Sequence, residues 1–239
     1  MAETISAYMQ CYNHPRAVYE TLKAFRGHYP EVGVSLVSDA GYDFKPFAKC
    51  FDLRYTHANE QVQPKGYFSG RESAETYLKR VYDHCISETS DWVVLLEEDV
   101  ITKRRALHFP ESACAGARSN PFSEKLTAYF NILRRSENRQ FYYGLCGGSC
   151  FSRAIFLECY SRNRDLRLLH LLDDKIYYAP DATLTSLFTL NGYNYSEWAE
   201  VSELSWARPE WCVMRDGAFD HANKQYYTAD FDPSLLQKN

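Results

Sequence analysis

No stretch of this sequence is long and apolar enough to span a membrane; the longest uncharged apolar run is Trp92 to Leu96. The start, Met1-Ala2-Glu3-Thr4-Ile5, lacks the basic segment and apolar core of a secretory signal. An excess of positive charge is also missing. The formal net charge is −4, which leaves no electrostatic footprint for nucleic acid. Neither a CxxC pair nor zinc-knuckle spacing occurs among the eight cysteines, and Cys146 and Cys150 bracket only Gly147-Gly148-Ser149. Ordinary buried, reduced thiols in a soluble, cytoplasmic chain are therefore expected. There is no GxGxxG, so a dinucleotide-binding oxidoreductase lacks its fingerprint. Internal repeats, low-complexity segments and linkers are absent as well.

What remains is a chain of 239 residues, enough to bury a large α/β core without staples. Its first hundred residues alternate strand and helix. Residues 5–11 read as a strand, and Asn13-His14-Pro15 leads into a helix carrying Val18, Leu22 and Phe25 on one face. Strands follow at 32–37 and 50–55, then a polar loop and a helix over 71–87 with Tyr77, Val81 and Cys85 spaced four apart. Residues 92–96 form a strand apolar throughout. This order implies βαβ units and a mainly parallel sheet flanked by helices, in one domain. Beyond Val100 the pattern loosens, with helices expected at 123–135, 152–160 and 181–190 and a short strand at 141–144. The first hundred residues are expected to bind nucleotide and 101–239 to face an acceptor.

The sharpest chemical feature is Leu95-Leu96-Glu97-Glu98-Asp99. Three carboxylates emerge at the carboxyl end of an apolar strand, where open α/β sheets bind ligands. In extended backbone Glu97 and Asp99 share a side and Glu98 takes the other. Two like charges beside an apolar core repel unless a cation lies between them. Magnesium or manganese suits such a site, because substrate phosphates can complete its oxygen shell. The alternative is an acidic solvated turn.

An acidic triplet of the form acid-x-Asp near residue 100 resembles the DxD motif of the GT-A glycosyltransferases. Three more segments match in order. Residues 8–15, Tyr12 among them, resemble the first strand and turn that receive the nucleotide. Val37-Ser38-Asp39-Ala40-Gly41 is similar to the segment after the second strand whose acid contacts uracil, which implies Asp39. The 219–227 segment resembles the loop whose histidine is a metal ligand, implying His221, with Lys224 offsetting diphosphate charge. More loosely, 144–153 resembles the Gly/Ser-rich segment shaping the donor and acceptor pocket. Pro180-Asp181-Ala182 is similar to the helix start of core-2-type N-acetylglucosaminyltransferases and their viral relatives, with Ala182 where that pattern has Glu.

The resemblance implies a GT-A fold and a metal-dependent transferase. Such an enzyme moves sugar from a nucleotide diphosphate, a UDP-sugar above all, to a hydroxyl of a glycan acceptor. Its implied metal ligands are Glu97, Asp99 and His221, holding manganese or magnesium. Tyr12, Asp39, Arg71, Glu98 and Lys224 fall on the nucleotide side. Asp181 is the implied base, with Asp173 and Asp174 as alternatives, and a retaining enzyme needs none. Asp181 also reads as a helix N-cap, where the dipole lowers its pKa. Trp198, Trp206 and Trp211 stack on an acceptor sugar or pack in the core. A sugar-nucleotide pyrophosphorylase would need a Gly-rich loop after the first strand, and Gln10 to Pro15 contains no glycine. A non-catalytic carbohydrate-binding domain is the reading from outside the enzymes.

Overall fold

The first strand, β1 (Ile5–Cys11), sits at the centre of the molecule because both its faces are apolar. Ala7, Met9 and Cys11 enter one core and Tyr8 the opposite one. The same alternation runs along β4 (Trp92–Leu96), with Trp92, Val94 and Leu96 on the first side and Val93 and Leu95 on the second. A strand covered on both faces reads as a continuous apolar run, which is why β4 shows no polar alternation. In this computed structural model, residues 3–162, 179–204, 212–221 and 224–237 are described. Asp173, Asp174, Trp206 and Trp211 lie outside them.

Parallel pairing joins β1 to β4 and to β2 (Val34–Ser38), and β2 to β3 (Arg54–His57). Further along the chain come β5 (Ile101–Thr102), β6 (Cys114–Gly116), β7 (Asn120–Pro121) and β8 (Tyr142–Tyr143), which pair antiparallel across an intervening helix, β9 (Cys150–Ser152) and β10 (Tyr195–Glu197). The central sheet has seven strands in the order β10-β6-β9-β4-β1-β2-β3, with β9 antiparallel to both its neighbours. Strand order reverses between β1 and β4, which opens a crevice at their carboxyl ends.

One face is covered by α1 (Pro15–His28), whose Val18, Leu22 and Phe25 are fully buried. The other face carries α3 (Arg71–Ser87), α4 (Glu124–Arg134), α5 (Arg153–Arg162) and α6 (Pro180–Leu190). Between α3 and the sheet, His84 takes hydrogen-bonding positions 3.0 Å from Ser6 Oγ and 2.8 Å from Ser35 Oγ. Burial pushes its imidazole down to about 3, so it is neutral.

Two sequence expectations are corrected. The third strand is Arg54–His57 rather than 50–55, because the preceding segment forms α2 (Lys45–Cys50). Pro46 suits a first helical turn, and burial of Phe47 against Phe44 ties this helix to the core. The cysteines are not uniformly buried: Cys50 and Cys146 are half-buried and Cys212 is exposed.

Candidate active site

The acidic triplet leaves β4 at the crevice. There the chain turns, Val100 N–H donating to Glu97 O at 3.1 Å, and enters β5. Strand β12 (Phe219–His221) pairs antiparallel with β5 and parallel with β11 (Val201–Glu203). This small sheet carries a residue from near the end of the chain back to the triplet. His221 Nε2 lies 3.4 Å from Glu97 Oε2 and 3.7 Å from Asp99 Oδ1. Ligand atoms of all three residues fall within 4.8 Å of one another. Glu98 faces the other way, its carboxylate meeting His14 and the Tyr12 amide.

Asp99 is 3 % exposed, and its Oδ1 is buried without a hydrogen-bond partner among the described residues. Burial raises its carboxyl, and Glu97 raises it further, against the opposing charges of His221 and Lys224. An orphaned buried carboxylate oxygen facing a second carboxylate and an imidazole fits a divalent cation. Gly147 is required for this packing, since a Cβ there would lie 2.6 Å from His221 Cδ2 and 3.1 Å from Glu97 Cβ. Gly148 beside it has φ +80°, which side chains rarely adopt.

The end of the chain closes over the same corner. Tyr227 stacks its ring on that of His14, with centroids 4.3 Å apart. Lys224 is exposed, with Nζ 5.5 Å from the Tyr227 ring centroid. Its charge acts on both Glu97 and Asp99.

Asp181 is not an N-cap. That position is Ala179, Pro180 opens the helix, and Asp181 Oδ1 accepts from the Ala182 amide at 2.8 Å. The expected lowering of its pKa is also overturned. Burial pushes its carboxyl up to about 6, with the charges of Glu97 and Glu203 adding to the effect and the Ala182 hydrogen bond opposing it. The charges of Glu97 and Asp181 both act on Tyr77 of α3, whose hydroxyl burial pushes well up.

The other residues expected on a nucleotide side divide. Tyr12 follows β1, is 41 % exposed at the crevice, and holds the next turn through Tyr42 N–H to its carbonyl at 2.8 Å. Asp39 directly follows β2 but is only 2 % exposed. Its carboxylate accepts from the amides of Val62 and Gln63, each at 2.9 Å, and from Arg80 Nη1 at 2.8 Å. Arg80 also donates to Gln10 Oε1 at 3.0 Å and Glu60 O at 3.2 Å. Asp39 therefore organises the loop rim. Arg71 stands at the first turn of α3, with Nε 2.7 Å from Glu75. Trp198 is core: it is 3 % exposed, donates to His108 O at 2.8 Å, and stacks on Phe109.

Sequence reasoning missed His14, Arg80 and Tyr227. Arg80 had a faint signal, a cation three residues past Tyr77 on a buried helix face. His14 and Tyr227 lie within the matched 8–15 and 219–227 segments but were given no role, since their stacking joins residues more than two hundred apart in the chain.

As a sequence, the chain matches no family model and no curated protein. Its architecture does have counterparts. The galactosyltransferase LgtC, crystallised with donor and acceptor sugar analogues, is similar at TM-score 0.51 and 10 % identity, over 90 % of this chain and 86 % of that one. An active-site mutant of LgtC gives 0.54 and 12 %, over 97 % and 94 %. The fold is GT-A. In this GT-A chain the acidic triplet, the returning histidine and the crevice between β1 and β4 all lie at one end of the sheet. Among the described residues no helix is long and apolar enough to cross a membrane.

Proposed function

We propose that this chain is a metal-dependent glycosyltransferase that moves a sugar from a UDP-sugar to a hydroxyl of a carbohydrate acceptor. One observation carries the reading. Glu97, Asp99 and His221 converge at the crevice with a buried, unpartnered Asp99 oxygen among them. Glu97, Asp99 and His221 would hold manganese or magnesium, which supplies Lewis-acid charge to a departing diphosphate.

The remaining roles follow from placement. Tyr12 lines the crevice where a nucleoside would lie. Asp39 acts from beneath, fixing the 60–63 segment through two amides rather than offering an exposed carboxylate. Glu98 and His14 join the loops after β4 and β1, and so hold the two rims together. Lys224 adds positive charge on the phosphate side. Asp181 accepts the proton of the attacking hydroxyl in an inverting reaction. A carboxyl near 6 is ionised at neutral pH yet basic enough to take that proton. Arg71, paired with Glu75, contributes charge at the rim. Residues 1–100 supply the nucleotide side and 101–239 the acceptor side.

Melting curves with UDP, GDP, dTDP and CMP, each with and without manganese, test the donor class. Only UDP with manganese should give the large shift, about 2.7 kcal/mol at a hundred times the dissociation constant. An equal response to every nucleotide, or none at all, would sink the reading.

A further inference from the structure

His221 belongs to two constellations. Beside the acidic triplet it also meets Cys146 and Glu203, and one ligand atom from each of these three lies within 4.8 Å of the others. Three separate elements build this cluster. Glu203 and His221 are direct partners in the parallel β11–β12 register, so their side chains leave the small sheet on the same face. Glu203 is further fixed by the reciprocal pair it makes with Val213, at 2.9 and 2.8 Å. Cys146 comes from the loop between β8 and β9. That loop is clamped to β4 by Gly148 N–H to Leu95 O at 2.8 Å and Leu95 N–H to Ser149 O at 2.9 Å.

The spacing suits a small tetrahedral ion. Cys146 Sγ is 3.6 Å from Glu203 Oε2. Zinc bonds of about 2.3 Å to sulfur and about 2.1 Å to oxygen, at a tetrahedral angle, put those atoms roughly 3.6 Å apart. Arg118 approaches the other oxygen, Oε1, at 3.8 Å and leaves Oε2 facing the thiol. The imidazole is 8 % exposed, and its buried Nδ1 has no hydrogen-bond partner among the described residues.

We propose that Cys146, Glu203 and His221 form a second divalent-cation site, selective for zinc, which shares its histidine with the Glu97–Asp99 site. A soft thiolate and a borderline imidazole beside a single carboxylate favour zinc, whereas the oxygen-richer Glu97–Asp99 set favours magnesium or manganese. Binding releases the Cys146 proton, and the proton that the neighbouring acids hold on His221, to solvent, because thiolate and neutral imidazole are the ligands. One imidazole serves both sites, so zinc and manganese compete. Zinc binding at this site does not depend on the chain being a transferase.

The test is calorimetric titration of the metal-free chain with zinc chloride and, separately, manganese chloride. Cobalt absorption reports on sulfur ligation. Cys212→Ser is built into every protein, so that the exposed thiol does not contribute. The parent should bind one zinc, show a sulfur-to-cobalt charge-transfer band, and bind zinc more weakly as manganese is added. Cys146→Ser should lose roughly tenfold or more in zinc affinity, lose the band, and keep its manganese affinity within about twofold. Asp99→Asn should do the reverse. A Cys146→Ser protein with the parent's circular dichroism that still binds zinc like the parent overturns the proposal. So does a parent that binds cobalt with no sulfur band. Should zinc bind as described and manganese fail, the zinc site stands and the proposed transferase site falls.

Discussion

His221 Nε2 stands 3.7 Å from Asp99 Oδ1 across the junction of two sheets, although the residues are far apart in the chain. The antiparallel pairing of β12 with β5 makes the approach, with Asp220 opposite Ile101 and Phe219 opposite Thr102. His221 is thus held by backbone register as well as by its own contacts, and Asp99 by the turn that closes β4. A site assembled from two registers is stiff, which is what selective capture of a cation requires.

Asp99→Asn keeps the shape of the carboxylate and removes its charge. Manganese-dependent binding of UDP should fall by roughly a hundredfold, since the proposed site loses one of its ligands. The melting temperature without metal should stay level or rise, because the variant no longer buries a carboxylate beside Glu97. His221→Ala should weaken the same binding, and by less. Calorimetry with the UDP–manganese pair decides this. If both variants bind like the parent, the cation lies elsewhere.

Replacing Asp181 by Asn separates chemistry from stability. Transfer should drop by roughly two or more orders of magnitude while UDP–manganese binding stays intact. The stability effect follows from linkage. A carboxyl near 6 in the folded chain and near 3.8 in the unfolded one favours folding only while protonated. Its cost is absent below pH 4, grows through pH 4 to 6, and is fully present above 6. With chelator present, the Asn variant should therefore melt above the parent at pH 7.5, by about 1–2 kcal/mol after screening is allowed for. The advantage should vanish near pH 4. Melting curves across that range, beside a pH profile of transfer with an acid limb near 6, provide the check.

Much of this was legible in the sequence because local rules and tertiary structure agreed. The run Trp92 to Leu96 could only be a doubly covered strand, and Arg71–Ser87 appears as expected because its apolar positions keep a helical period. The carboxylates after β4 follow from the same rule. Where the sequence misled, burial or packing overrode a local preference. Asp181 sits at a helix start, where the dipole argues for a low pKa, but desolvation and two nearby carboxylates win. Asp39 carries the right residue for an exposed contact, yet Arg80 and two amides draw it inward. The pairing of His221 with both Cys146 and the acidic triplet depends on strand register, and short strands such as β5 and β12 leave little trace in a pattern of residues.

The Asp39–Arg80 pair offers a test of that inward role. The Arg80 side chain is 14 % exposed and that of Asp39 3 %, so truncating the cation strands a buried carboxylate. Arg80→Met should destabilise the chain by roughly 3 kcal/mol at pH 7. Asp39→Asn with Arg80→Met should recover part of that loss, since neither charge remains. Chemical denaturation of the parent, both single variants and the double variant gives the coupling energy. An additive cycle would mean the two residues do not act as a pair.

Gly147 shows how little room the site has. A Cβ there would meet His221 Cδ2 at 2.6 Å and Val100 Cγ2 at 2.7 Å, both far inside normal contact. Val100 is buried in the core and cannot retreat, whereas the imidazole can swing about its side-chain torsions. Gly147→Ala should therefore displace His221 from Glu97 and Asp99 while most of the fold persists. The overpacking itself costs about 1–3 kcal/mol. Manganese-dependent UDP binding should fall at least as far as in His221→Ala, and the double variant Gly147→Ala with His221→Ala should be no weaker than Gly147→Ala alone. That non-additivity is the signature, because the alanine methyl acts on binding only through the imidazole. If the effects of the two substitutions simply add, Gly147 shapes the site by another route and the close approach to His221 is incidental.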